Sequence, residues 1–133
     1  PTGNILNVSN TSFDLRNSFL INKEFLERGG IDHNYVIDYQ DILKPVAKIY
    51  SEKTGLGAEY YTNQPGIQFY TGNMMCEKYI GKYSKSYHKH FGMCLEPQIF
   101  PNAINQINFP SPILKKNESY NSIIKIKLRN DFI

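Results

Sequence analysis

Short β-rich runs separated by turn residues are the feature that most constrains how this chain folds. Residues 124–128, Ile-Lys-Ile-Lys-Leu, alternate strictly between apolar and polar side chains. A period of two is typical of a half-buried antiparallel strand, with its apolar side chains on one face. Similar runs at residues 46–50, 58–62 and 67–71 predict three more strands. We therefore expect a mostly β fold with antiparallel strands packed in a sandwich.

The turn at residues 63–66, Asn-Gln-Pro-Gly, lies between two of these runs. Proline presets one backbone angle and glycine accepts a positive one, so this sequence favours a tight turn. The pattern predicts a hairpin that pairs residues 58–62 with residues 67–71. Helical signals are few. Apolar spacing within residues 19–28 predicts two or three helical turns, ended by the glycine pair that follows.

The chain is long enough, at 133 residues, to form one domain with its own core. Its net charge of +3 comes from scattered lysines, whereas a nucleic-acid binder gathers basic residues on one stripe. The densest basic group, Lys82, Lys85 and Lys89, is interleaved with tyrosines and histidines and is interpreted as a solvated surface loop. No nucleic-acid partner is therefore expected.

No apolar run approaches the ~18 residues that a membrane helix needs, so no membrane partner is expected. The chain begins with Pro1 rather than methionine, and we expect its true N-terminus to be missing. The two cysteines, Cys76 and Cys94, match neither a metal-ligand pattern nor a disulfide scaffold. This cysteine usage indicates a reducing, cytoplasmic location.

The stretch Gly30–Asn34 places a carboxylate beside an imidazole directly after a glycine pair. Glycine lets the backbone turn sharply and would present Asp32 at the rim of a loop. The residue pattern by itself favours another interpretation, a turn in which Asp32 caps its own backbone.

Glu96 stands in an otherwise apolar stretch, after Met93–Leu95 and before Ile99 and Phe100. Desolvation disfavours a charged carboxylate and raises its pKa from ~4.3 toward the range of a base near neutral pH. Glu96 is therefore either a partly desolvated general base or a surface glutamate at a strand end. The pattern alone does not choose between them.

Five motifs in order make the chain resemble the aldose 1-epimerase (galactose mutarotase) family, in its C-terminal part. They occupy residues 1–5, 13–16, 30–34, 65–73 and 87–98, and the last continues through residues 100–105 and 109–114. The resemblance implies an antiparallel β-sandwich of galactose mutarotase type, the C-terminal part of its super-sandwich, with few short helices. Residues 1–133 are accordingly expected to be one C-terminal portion of such a domain, incomplete at the N-terminus.

The resemblance also implies an activity, the interconversion of the α and β anomers of a free aldose such as galactose or glucose. Glu96 matches the general base that takes the proton from the anomeric hydroxyl. Asp32 matches an acidic residue that hydrogen-bonds a sugar hydroxyl, and Gln68 matches a glutamine that contacts the sugar near the reacting centre. Such acid–base ring opening requires no metal and no cofactor, so none is expected.

The family's acid is a histidine that lies upstream of the segment matched by residues 1–3. His33 and His90 lie inside family motifs, where a structural or supporting role is expected, and His88 is expected in an exposed loop. The chain alone is therefore expected to be inactive. Its expected partners are a monosaccharide and either the missing N-terminal half or another protein chain.

Two other functions fit the sequence less closely. One is a non-catalytic carbohydrate-binding or structural subunit that keeps the mutarotase-like fold within a larger assembly. The other is a sugar-phosphate epimerase relative, which would need an arginine-rich anion site. The chain contains three arginines, Arg16, Arg28 and Arg129, so this alternative is ranked last.

Overall fold

The computed structural model describes residues 1–38, 41 and 44–131. Its strands are β1 (Asp32–Val36), β2 (Ala47–Tyr50), β3 (Gly57–Thr62), β4 (Gly66–Tyr70), β5 (Cys94–Gln98) and β6 (Ile124–Arg129). They form two three-stranded sheets, in the orders β1-β4-β5 and β2-β3-β6. Among the described residues, one short helix, α1 (Lys23–Glu27), and 3-10 turns at Lys82–Ser84 and Ala103–Asn105 complete the regular structure. The predicted class, mostly β with few short helices, is confirmed.

The chain divides into two compact units. The first comprises Pro1–Tyr35 and Gln68–Glu96, and the second comprises Val36–Ile67 and Pro97–Ile133. No described helix combines the length and the apolar character that crossing a bilayer requires.

In the second unit, β3 is the central strand of its sheet and runs antiparallel to both neighbours. Ala47 of β2 lies opposite Tyr60, and Ile124 of β6 lies opposite Thr62. The predicted hairpin is therefore wrong, because β3 pairs with β2 and β6 while β4 belongs to the other sheet. The turn after β3 is instead tied to a distant segment. Asn63 Nδ2 donates to Asn121 O at 3.0 Å, and Asn63 Oδ1 accepts from Ile123 N at 2.9 Å.

The predicted antiparallel strand at residues 124–128 is confirmed as β6, but its predicted half burial is wrong. Ile124, Ile126 and Leu128 are 50%, 51% and 80% exposed. The alternation does place these three side chains on one face of the strand. The described part of the chain leaves that face uncovered, because the period of two fixes which residues share a face and not what packs against it.

A buried carboxylate lies on the opposite face of the same sheet. Glu59 Oε2 accepts a hydrogen bond from Tyr61 Oη at 2.9 Å, and Oε1 lies 3.3 Å from Lys48 Nζ. Arg129 Nη1 lies 3.9 Å from Oε2. The hydrogen bond from Tyr61, followed by the contact with Lys48, lowers the pKa of Glu59 despite its burial. We call Glu59, Tyr61, Lys48 and Arg129 the Glu59 cluster.

Helix α1 in the first unit is shorter than the predicted two or three turns. Asn22 Oδ1 accepts from Phe25 N at 2.9 Å and so defines the start, which the apolar spacing had placed earlier. The predicted end is confirmed. Gly29 and Gly30 follow with φ of 120° and 61°, and this backbone conformation costs glycine little. Ile31 then separates the two glycines from the start of β1.

Candidate functional site

A side-chain pair across β1 and β4 is the starting point of the candidate site. Gln68 Nε2 donates a hydrogen bond to Asp32 Oδ1 at 2.8 Å. Asp32 is the exposed first residue of β1, and Gln68 is half-buried in the middle of β4. Asp32 thus begins a strand and bonds a residue 36 positions away, rather than capping the turn that the residue pattern alone favoured.

The other half of the Gln68 amide has an unused acceptor. Gln68 Oε1 is buried and has no hydrogen-bond partner among the residues that the structure describes. A buried polar atom without a partner costs about 1–3 kcal/mol, and most such atoms in proteins are paired. Because Asp32 holds Nε2, the direction of Oε1 is fixed as well. A hydroxyl donor from a bound molecule can use this acceptor only if the side chains that bury it move aside.

Glu96 lies on β5, the strand next to β4, and belongs to the same compact unit. Its side chain is exposed, so the desolvated surroundings expected from the apolar stretch are not found in the described chain. The physical reason is the alternation of a strand. Leu95 and Pro97 flank Glu96 in sequence but point to the opposite face, where they cannot shield it.

Cys94 shares the Glu96 face of β5, two positions earlier. The pKa of its thiol is raised from an ordinary value of 9.0, first by desolvation and then by the negative charge of Glu96 and a hydrogen bond to it. The thiol therefore stays protonated near neutral pH and contacts the carboxylate as a neutral donor. The apolar stretch did not reveal this neighbour, although the i, i+2 spacing on a strand could have done so.

His33 and His88 have partners that account for their positions. The His33 ring lies 4.6 Å from the ring of Phe13, and its Nδ1 accepts from Asp32 N at 3.2 Å. His88 is exposed, as predicted, with its Nδ1 2.8 Å from Glu77 Oε1. Across residues 1–38, 41 and 44–131, no three His, Cys, Asp or Glu side chains are grouped so that they could hold a metal ion.

Thr71 is a residue of this region that the sequence did not single out. It directly follows β4 and is fully buried. Its Oγ1 accepts from Ile31 N at 2.8 Å, and its carbonyl oxygen lies 2.6 Å from His90 Nδ1. The flanking glycines were the available signal, since Gly30 and Gly72 both have positive φ at points of close approach.

Asp32, Gln68 and Glu96 thus lie on three neighbouring strands of one sheet, and a hydrogen bond joins the first two. Asp32 and Glu96 supply carboxylates, and Gln68 lies on the strand between theirs. Carboxylate oxygens and an amide oxygen are acceptors that suit a molecule rich in hydroxyl groups. A carboxylate can also take a proton from a bound hydroxyl.

Comparisons with known proteins match nearly the whole chain. Residues 1–127 match the family model described as Aldose 1-epimerase. The chain is 43% identical over 123 residues to the galactose mutarotase of Sus scrofa, which covers 91% of this chain and 36% of that protein. It is 30% identical over 132 residues to the aldose 1-epimerase of Escherichia coli strain K12, which covers 92% of this chain and 38% of that protein.

A solved structure agrees with these matches. The crystal structure of an aldose epimerase homologue from C. elegans superposes with a TM-score of 0.85 at 25% sequence identity. The match covers 98% of this chain and 40% of the other. The chain thus spans 36% to 40% of the length of these three relatives.

Proposed function

Because this chain belongs to the aldose 1-epimerase family, we propose that it forms part of an isomerase that interconverts the α and β anomers of a free aldose such as galactose or glucose. The relatives named as galactose mutarotases favour galactose as the first sugar to test. The chain spans 36% of the length of those two relatives, so this activity is proposed for the protein or assembly that contains it.

The observation that carries the proposal is the orientation of Gln68. Its amide nitrogen bonds Asp32 while its amide oxygen is buried with no partner among the described residues. A sugar hydroxyl can donate to the exposed Asp32 carboxylate, and a second hydroxyl would complete the pair by donating to Oε1 once the side chains that bury that atom have moved aside. Asp32 and Gln68 would then hold the ring in one orientation beside Glu96.

In this arrangement Glu96 acts as the base. Its carboxylate takes the proton of the C1 hydroxyl, the C1–O5 bond breaks, and the ring oxygen receives a proton from an acid. After the C1 carbonyl turns its other face, O5 attacks C1 and returns its proton to the acid, while Glu96 returns its proton to the C1 oxygen. A positioned acid or base typically contributes ~10²–10⁴-fold to the rate.

We further infer that residues 1–133 act as the C-terminal portion of a family domain. The acid would come from the upstream histidine that the family resemblance implies, on the remaining part of that domain. The exposed apolar face of β6, formed by Ile124, Ile126 and Leu128, supports such a partner, because contiguous exposed apolar patches mark interaction surfaces. The free thiols of Cys76 and Cys94 agree with a reducing cytoplasm.

The test is a chimera in which this chain replaces the matched part of the Sus scrofa galactose mutarotase. Polarimetry on freshly dissolved α-galactose would follow anomer interconversion. We expect the chimera to be active and Glu96→Gln to lower its kcat by ~10²-fold or more, without loss of secondary structure. Glu52→Gln is the matched control, since Glu52 is an exposed glutamate in the turn after β2. Unchanged turnover in Glu96→Gln would remove Glu96 from its role as base.

The exposure of Glu96 favours a second candidate, a non-catalytic carbohydrate-binding or structural subunit. An exposed carboxylate gains none of the desolvation that strengthens a base. This candidate predicts that the chimera binds galactose without turning it over and that Glu96→Gln leaves the affinity unchanged. Calorimetric titration with galactose, run beside the polarimetry, separates the two functions.

A further inference from the structure

A buried hydroxyl joins the two strands that carry Asp32 and Gln68. Thr71 directly follows β4, Ile31 directly precedes β1, and both side chains are fully buried. Thr71 Oγ1 accepts from Ile31 N at 2.8 Å, while Thr71 N donates to Ile31 O at 2.9 Å. The side chain and the backbone of one residue therefore fix the start of β1 against the end of β4.

The proton of this hydroxyl also has an acceptor inside the protein. Thr71 Oγ1 lies 2.7 Å from Asn73 Oδ1 and 3.2 Å from Ile31 O, and the shorter contact assigns the proton to Asn73. One donor and one acceptor capacity of the hydroxyl are thus used within the fold. Thr71 is therefore not a ligand-binding group, and its bonds serve to hold neighbouring segments.

The carbonyl of Thr71 extends this contact to the segment before β5. His90 Nδ1 lies 2.6 Å from Thr71 O, and since a carbonyl only accepts, Nδ1 carries the proton. His90 N also donates to Gly72 O at 3.0 Å. The other ring nitrogen, Nε2, is buried without a partner in the described part of the chain, so the ring is held through Nδ1. Glu96 follows six residues later.

Two glycines show how closely these segments approach. Gly30 has φ of +61°, and a Cβ there would overlap Thr71 Oγ1 and lie 3.2 Å from His90 Cε1. Gly72 has φ of +73°, and a Cβ there would lie 2.7 Å from Gly92 O. The nearest atoms at Gly30 belong to side chains and the nearest at Gly72 is a backbone oxygen, so neither position has room for a Cβ.

We propose that Thr71 and His90 are positioning residues that hold Asp32, Gln68 and Glu96 in one arrangement for the sugar, a role that rests on the proposed function. Ile31, Thr71 and His90 form what we call the Thr71 clamp. Asp32 directly follows Ile31, Gln68 precedes Thr71 by three positions, and Glu96 follows His90 by six. A displacement of about 1 Å at a reacting group can cost ~10²-fold in rate. The loss of one hydrogen bond in the clamp can therefore lower turnover strongly if it shifts a site residue by a comparable distance.

Two pairs of variants test the clamp. Thr71→Val keeps the volume and removes the hydroxyl, while Thr71→Ser keeps the hydroxyl. His90→Leu removes the donor, while His90→Asn retains a donor near the Nδ1 position and tolerates the positive φ of 64°. The first readout is the side-chain amide signal of Gln68 in ¹⁵N NMR spectra of the 133-residue chain. We expect it to shift in the Val and Leu variants and to return in the Ser and Asn variants.

Kinetics in the chimera provide the second readout. We expect Thr71→Val and His90→Leu to lower kcat by ~10-fold or more, and Thr71→Ser and His90→Asn to stay within about threefold of the parent. Thr62→Val is the matched control for stability. Thr62 is equally buried and its Oγ1 accepts from Gln64 N at 3.1 Å, but it lies on β3 in the other unit. Thr62→Val should leave kcat and the Gln68 signal unchanged.

Separate results decide this inference and the proposed function. If the parent chimera shows no anomer interconversion, the proposed function fails, and the Gln68 signal in the 133-residue chain still reports whether the clamp positions the site. The clamp is rejected if that signal is the same in the parent, Thr71→Val and His90→Leu. It is also rejected if Thr62→Val lowers kcat as much as Thr71→Val does.

Discussion

Two carboxylates, one in each compact unit, have opposite surroundings. Glu59 is 7% exposed, and its oxygens contact Tyr61, Lys48 and Arg129. Glu96 is exposed on β5 with the Cys94 thiol beside it. The oxygens of Glu59 accept hydrogen bonds and ion pairs from within the fold, whereas those of Glu96 remain exposed and can accept from a ligand. Acceptor capacity left over, rather than burial, distinguishes the candidate functional group here.

Two glutamines that lie four positions apart show the same contrast between used and unused hydrogen-bonding groups. Gln64 is 3% exposed, its Oε1 accepts from Tyr120 Oη at 3.2 Å, and its Nε2 lies 3.5 Å from Asn63 Oδ1. Gln68 has its Nε2 on Asp32 and its Oε1 without a partner among the described residues. Both ends of the Gln64 amide thus have contacts within the described fold, whereas only the nitrogen of the Gln68 amide does.

The largest expected effect comes from exchanging the two glutamines for leucine. Gln68→Leu should lower kcat/KM of the chimera by ~10–100-fold, because a hydrogen bond to the substrate is lost. It should leave the free energy of unfolding nearly unchanged, since the loss of the hydrogen bond to the exposed Asp32 is offset by the removal of a buried acceptor without a partner among the described residues. Gln64→Leu should do the reverse, destabilising the fold by ~1–3 kcal/mol with kcat/KM intact. Polarimetry and urea unfolding would measure both, and equal kinetic losses would abolish the contrast.

Glu59→Gln should produce a smaller effect that depends on pH. The hydrogen bond from Tyr61 lowers the pKa of Glu59 below its ordinary value of 4.5 in the folded chain. Its stabilisation is therefore fully present above pH 4.5 and is lost as the pH falls through the lower, folded pKa. Urea midpoints of the parent should exceed those of Glu59→Gln at pH 7 and approach them at lower pH. A gap that stays constant from pH 7 to pH 3 would contradict this assignment.

The smallest expected effect separates the partners of Glu59. Lys48 is 54% exposed in its side chain, and exposed ion pairs contribute about 0–1 kcal/mol. Lys48→Met should thus lower the free energy of unfolding by less than ~1 kcal/mol. Tyr61→Phe removes the nearest donor to Glu59 and should lower the free energy of unfolding by more than Lys48→Met does. Urea unfolding at pH 7 ranks the two variants. A larger loss in Lys48→Met would mean that the ion pair, not the phenol, stabilises the buried carboxylate.

Much of the fold could be predicted from the sequence. The alternation at residues 124–128 and the β-rich runs at 46–50, 58–62 and 67–71 correspond to β6, β2, β3 and β4 within about one residue. The pairing of these strands was harder to predict. The Pro-Gly turn indicated a hairpin, but the partners of β3 include β6, which begins more than sixty residues later. Local turn chemistry carries no information on such a distant partner.

The sequence singled out the residues of the candidate site, but it did not predict how exposed their side chains are. Ordered motifs singled out Asp32, Gln68 and Glu96, and the structure places them on three neighbouring strands of one sheet. The desolvation expected for Glu96 was inferred from neighbours in sequence, which a strand sends to its other face. Thr71 escaped notice because a lone threonine after a strand has no distinctive pattern. Its importance depends on Ile31, forty positions away.

The amide of Asn63 has a consequence for the alignment of β6. Paired backbones end at Thr62 and Ile124, and beyond them Asn63 bonds Asn121 O and Ile123 N through its side chain. One carboxamide must thus match a donor and an acceptor two residues apart. Sliding β6 by one position would lose both bonds and would also turn its isoleucines to the other face. The side chain of Asn63 therefore helps to fix the register of β6 against β3 at the point where main-chain pairing ends.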